Sequence, residues 1–167
     1  MTRFQVFLAL VLALAIHMTL LVHVKIFGVK PDLMLALVVF FALFLGGRLG
    51  LETGIAAGLL KDIFAFDVFG VNMLVLGMTG LLVGLANTKF YRESRLTQVG
   101  IVFISSVFSM ALHYTIASSV LKFVHLGLFD YLTSSIIPAS LYTALVSFFI
   151  YPWLIGIYGL EDRRQFL

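Results

Sequence analysis

No cysteine occurs anywhere in this chain, which excludes disulfides, thiolate metal sites and cysteine nucleophiles together and removes any clue to redox compartment. Charge is almost as scarce. Only 11% of the 167 residues are Asp, Glu, Lys or Arg, against about 25% in an ordinary soluble domain. With 62% of residues hydrophobic, the chain cannot cover itself with water-facing groups, so lipid must be its solvent. The formal net charge of +3 is small, and the basic residues fall in short clusters between apolar runs. Clusters of that kind encode membrane topology and make a poor nucleic-acid footprint, so no nucleic-acid partner is expected.

Reaction chemistry is missing too. The sequence has no His-Glu-x-x-His, no Gly-x-Ser-x-Gly, no Gly-x-x-x-x-Gly-Lys and no paired carboxylates inside an apolar run. All eight acidic residues fall in connections, at run ends or in the tail. A membrane enzyme needs an activated nucleophile or a metal, so the chain reads as non-enzymatic and free of cofactors. His17, His23 and His125 have no carboxylate or second histidine at ligand spacing and read as packing or interfacial residues. A structural or partner-binding role therefore leads, with a small-molecule carrier second.

What the sequence does contain is long uncharged runs. Phe4 to Val24, Val68 to Thr88, Leu96 to Leu121 and Tyr131 to Leu160 each supply the about 20 apolar residues that a bilayer requires. Four spanning helices are expected there. Arg3 ahead of the first run resembles the start of a signal peptide, but the run is longer than a usual signal core and no small-x-small site follows, so it reads as retained. The stretch from Leu33 to Phe66 is shorter of apolar length. Leu33 to Gly47 would reach only about 22 Å as a helix, and Arg48, Glu52, Lys61 and Asp62 follow. Two short spans, a re-entrant hairpin or one long span fit this pattern. Gly46 and Gly47 mark the break, and Arg48 with Glu52 has ion-pair spacing on one helix face.

Charge placement favours an even number of crossings. With six spans, Arg3, Arg48, Lys89, Arg92, Arg95, Arg163 and Arg164 face the cytoplasm while Lys25, Lys30, Lys61 and Lys122 face outward, seven against four. A single crossing between Leu33 and Phe66 would put seven positives outside, against the positive-inside rule. Both termini are then cytoplasmic. A re-entrant hairpin would leave every other loop on the same side. No fixed-period repeat and no linker divides the chain, so residues 1–167 read as a single integral membrane domain, all-α, with six transmembrane helices of which the second and third are short.

Small residues carry the packing signal. Gly46, Gly50, Gly54 and Gly58 recur every four residues, and Gly80 with Gly84 repeats the spacing. Such faces let backbones approach closely, which in lipid replaces the missing hydrophobic drive for helix association. Ordinary intramolecular packing is the favoured reading over a dedicated partner face. Ser105, Ser109 and His113, and likewise Ser140, Thr143, Ala144 and Ser147, give the last two long runs weakly polar faces that read as packing against protein.

Lys30-Pro31-Asp32-Leu33 opening the second apolar segment, Gly50 to Gly58 leading into Leu60-Lys61-Asp62, and Phe69-Gly70-Val71-Asn72 opening the fourth span resemble the rod shape-determining MreD family. Only the block from Pro31 to about Gly84 is specific. The family often has Asn where Asp32 stands, and Lys61 departs from its usual apolar neighbour of the acid matched here by Asp62. The resemblance implies a non-enzymatic subunit of the bacterial elongation machinery in the inner membrane. Its implied partners are an MreC-like single-span protein, RodA, a class B penicillin-binding protein and MreB in lateral peptidoglycan synthesis. It also implies a layout similar to the substrate-binding subunits of energy-coupling-factor transporters, whence the alternative function of a vitamin-binding transporter subunit. Such a subunit would want an aromatic-lined pocket, to which 17 Phe against one Trp is poorly suited. The structural or partner-binding candidates are Pro31, Asp32, Gly50, Gly54, Gly58, Asp62, Gly70 and Asn72.

Asp62 is singled out among them. Its carboxylate at a membrane edge is costly unless paired or wetted, and adjacent Lys61 points about 100° away around a helix. The electropositive helix start near Gly70 to Asn72 is the expected acceptor site, which would pin the third span to the fourth.

Overall fold

The computed structural model describes residues 3–19, 29–64, 69–87, 94–121 and 128–159. These form α1 (Arg3–Thr19), α2 (Leu33–Leu45), α3 (Gly47–Phe64), α4 (Val71–Leu85), α5 (Arg95–Leu121), α6 (Leu128–Tyr131) and α7 (Ile137–Tyr158). A π-helical stretch, Leu132–Ile136, joins α6 to α7, and the three run on as one rod.

α2 has no polar side chain in its 13 residues. A helix that is apolar all round has no face for water and must be enclosed. It is: every residue from Leu33 to Leu43 is buried, and α1, α3, α4, α5 and α7 all pack on it. Tyr151 of α7 enters this core fully buried, its hydroxyl donating to the Ala36 carbonyl at 2.8 Å and its ring edge-on to Phe40 at 5.1 Å. Asp32 starts α2 as its N-cap, accepting from the Leu35 amide at 3.1 Å. Gly46, at φ +89°, stops it. No L side chain takes that conformation readily, and it turns the chain into α3 through one residue.

α3 therefore runs back along α2, with Gly50 against Ala42 and Lys61 beside Asp32. Its own glycine edge lies on α4 in antiparallel register. A β-carbon on Gly50 would collide with the Gly80 carbonyl, one on Gly54 with the Leu76 carbonyl, one on Gly58 with Met73 and Asn72 backbone, and one on Gly84 with Gly47. The backbones thus touch along the whole seam. Of the stretch weighed as one or two spans, the described residues Leu33 to Phe64 form two antiparallel helices, not one long one. Both lie alongside α4.

Asp32, Lys61, Asn72 and Thr143 gather at one end of the bundle. At the other, Gly46 faces Asn87, and the Tyr158 hydroxyl near the end of α7 reaches the Gln5 carbonyl near the start of α1. The rods alternate in direction. Large apolar side chains clothe the outside, among them Phe4, Leu74, Leu82, Ile104, Phe149 and Trp153. Among the described residues two helical stretches are long and apolar enough to cross a membrane by themselves, Arg95–Ser119 and Phe129–Tyr158. α4 is shorter than the uncharged run expected there, with 15 residues, because Gly70 and Ala86 cap it inside that run. The run expected from Phe4 to Val24 extends beyond the described residues of α1.

Candidate functional site

Asp62, near the end of α3, is 4% exposed. One carboxylate oxygen accepts from the Gly70 and Met73 amides, each at 3.0 Å, and the other accepts from the Asn72 amide at 3.2 Å and the Asn72 side-chain nitrogen at 2.9 Å. Those amides belong to the first turn of α4, where donors have no partner inside the helix and the dipole favours an anion. Gly70 caps α4 in the left-handed region, φ +94°, and has no side chain to cap with, so Asp62 from the preceding helix supplies the acceptor. The helix start named from the sequence is the one the carboxylate meets.

Asp32 stands close by through Lys61. The Lys61 ammonium lies 2.7 Å from the second Asp32 oxygen, both side chains about four-fifths buried, while the Asp32 amide donates to Thr143 Oγ at 2.9 Å. One residue therefore ties α2 to α3 by charge and to α7 by a hydrogen bond. Burial pushes the Asp32 carboxyl up, but Lys61, His17 and the hydrogen bonds from Lys61 and Leu35 outweigh it and hold the group below the usual carboxylate range.

The two anchors border a cavity of about 440 Å³ whose lining includes His17, Lys30, Pro31, His113 and Tyr131. Val75, Leu76 and Met110 add apolar wall. Tyr131 stacks on Tyr114 of α5 at 4.6 Å and stands at the start of the π-helical stretch, where the Ile137 amide reaches back to the Leu132 carbonyl. Across the bundle, between α1 and α7, a second cavity of about 440 Å³ is almost wholly apolar and reaches Ala36 and Leu37 of the central helix.

The candidates from the sequence thus separate into two groups. Asp62, Gly70, Asn72 and Gly58 meet directly, and Pro31 and Asp32 join them across Lys61. Gly50 and Gly54 lie along the seam away from this end and touch α4, inside the protein. Sequence reasoning missed the Lys61–Asp32 pair, Lys30 and the Tyr114–Tyr131 stack. His17, read as a packing residue, lines the cavity beside His113. No sequence signal pointed to the pair, whose members stand 29 residues apart. Arg48 and Glu52 pair at 3.5 Å on an exposed face, where such a contact adds little stability. The small faces of α5 and α7 are turned inward, with Ser105, Ser109, Ser140 and Ser147 buried and the Thr143 and Ser147 hydroxyls bonded back to their own helix. No group of three metal-ligating side chains occurs among the described residues. Lys25, Lys89, Arg92, Lys122, Arg163 and Arg164, on which the charge argument leaned, lie outside the described residues.

Fold and site together define a small all-α protein with apolar groups outward and polar groups drawn to internal seams and one end, the construction of a helical membrane protein. The chain belongs to the MreD family: the family model described as rod shape-determining protein MreD matches residues 1–160. Membership carries a role in rod-shape determination and residence in a membrane. No curated protein and no solved structure matches the chain.

Proposed function

We propose that this protein is a non-enzymatic subunit of the bacterial cell-elongation machinery, spanning the inner membrane six times with both termini in the cytoplasm. It binds an MreC-like single-span protein and supports lateral peptidoglycan synthesis, in a larger assembly with RodA, a class B penicillin-binding protein and MreB. The match to the MreD family over residues 1–160 carries the reading. The physical features agree with a protein that acts by holding others. Its α3–α4 seam is locked by backbone contact and by Asp62, which makes a stiff plate. The apolar groove between α1 and α7 offers a surface from which a partner's transmembrane helix reaches the central helix.

Purification of the tagged protein in mild detergent tests this. An MreC-like protein is expected in the eluate. Recovery of an energy-coupling ATPase module without it would instead support the vitamin-carrier alternative, against which stands a polar cavity whose described lining has Tyr131 but no Phe or Trp.

A further inference from the structure

The polar cavity at the Asp32 end has a charge that no described residue answers. Lys30 and Lys61 both line it, with Asp32 between them. Lys61 is satisfied by Asp32 at 2.7 Å, in a pair that also carries the α2 cap. Lys30 is only partly exposed and has neither ion pair nor hydrogen bond among the described residues. Counted over its described Lys and Asp side chains, the lining therefore carries one unbalanced positive charge, in a hollow where bulk water screens it poorly. An ammonium held so is stabilised by an incoming anion.

The rest of the lining says what that anion is attached to. Met18, Val75, Leu76 and Met110 form apolar wall opposite the charged residues. At about 440 Å³ the hollow lies within the about 300–1,000 Å³ of small-molecule sites, which combine apolar walls with a few convergent polar groups. Beside it the helix widens into the π-helical stretch directly after Tyr131, a distortion frequent at functional sites.

We propose that this cavity binds a ligand with one anionic group, a carboxylate or a phosphate, on an apolar body, and that Lys30 pairs with the anionic group. Two sources share that chemistry: the headgroup and upper chain of an anionic phospholipid, and a free amphipathic carboxylate. The proposal stands apart from the assignment of a protein partner, and its test needs none.

The intact protein in neutral maltoside detergent is melted with phosphatidylglycerol, with octanoate and with zwitterionic phosphatidylcholine, and bound lipid is counted by native mass spectrometry. An increase in melting temperature with phosphatidylglycerol alone, at one lipid per chain, identifies the lipid source. An increase with octanoate identifies the free carboxylate. In either case Lys30→Gln should weaken binding tenfold or more and Lys30→Arg should retain it, while Arg48→Gln, at the far end of α3, should bind as wild type. Met110→Trp, which fills the hollow from its apolar wall, should also abolish binding. Equal shifts for the anionic and zwitterionic lipids, no shift with either anionic probe, or unchanged binding by Lys30→Gln would overturn the proposal.

Discussion

One carboxylate, Asp62, caps a helix to which it does not belong. Four donors converge on its two oxygens, three of them backbone amides of α4. Asp62→Leu leaves those donors facing an apolar side chain and should lower stability in detergent by about 2–4 kcal/mol, since each stranded buried donor costs about 1–3 kcal/mol. Asp62→Asn keeps one acceptor oxygen and should lose less than the leucine variant. Equal melting temperatures for wild type and both variants would dismiss the pin. The capping was legible because an acid about one turn past a glycine face, close in sequence to a helix start at Gly70, has few other places to put its charge. The Asp32–Lys61 pair was not legible, because its members stand 29 residues apart and meet only once α3 folds back along α2. Its signature is a pH dependence. Asp32 is held below the usual carboxylate range in the folded protein, so its contribution is present above the unfolded value, about 3.9, and is lost as pH falls through the folded value. In Lys61→Met the strongest of the influences that hold the carboxyl down is gone, while His17 and the Leu35 amide still oppose burial. The variant should be less stable than wild type by about 1–3 kcal/mol at pH 7, and the gap should narrow as the melts are taken below the unfolded value and through the folded one.

At the scale of elements, spacing alone announced a close helix–helix seam but not its register. Glycines four apart on α3 and on α4 say that both backbones can approach, whereas the pairing of Gly50 with Gly80 and of Gly84 with Gly47 is seen only in the folded chain. The glycines of this protein consequently divide by position. Gly54→Ala drives a methyl into the Leu76 carbonyl of the facing backbone and should destabilise by several degrees in detergent. Gly100→Ala in α5 meets nothing within 4 Å and sits in helical backbone, so it should be neutral or stabilising by about 0.5–1 kcal/mol. Parallel thermal melts of the two alanine variants read the difference. The short apolar length of α2 is legible as a break after Leu45. Its place at the centre is a matter of tertiary packing, to which an unbroken apolar sequence points but for which lipid is an equal alternative.

For the whole molecule, the alternation of rods brings Gln5 and Tyr158 to the same end of the bundle, and the even crossing count proposed from the loop charges is open to test. A chain without cysteine permits a direct measurement, since single cysteines introduced at positions 25, 92, 122 and 164 react with an impermeant thiol reagent without background. Positions 25 and 122 should label on cells with the outer membrane made permeable, and 92 and 164 only after lysis. The reverse pattern overturns the orientation. Different sides for positions 48 and 61 would mark α3 as a full crossing.

Embedded in this way, the protein has unequal flanks. α4 presents Leu74, Met78, Leu82 and Leu85 on a helix of 15 residues, about 22 Å long, while α5 has 27 residues and is about 40 Å long. A hydrocarbon layer of about 30 Å matches neither. If both helices cross the bilayer, lipid beside α4 should thin and α5 should tilt or lift its ends into the headgroups, so that the bilayer would slope from one side of the protein to the other. Short-chain phosphatidylcholine should therefore raise the melting temperature above that in long-chain bilayers. In a cell the same slope would make the surrounding membrane itself a medium of attraction, drawing toward the α4 flank whichever neighbouring proteins also prefer a thin bilayer.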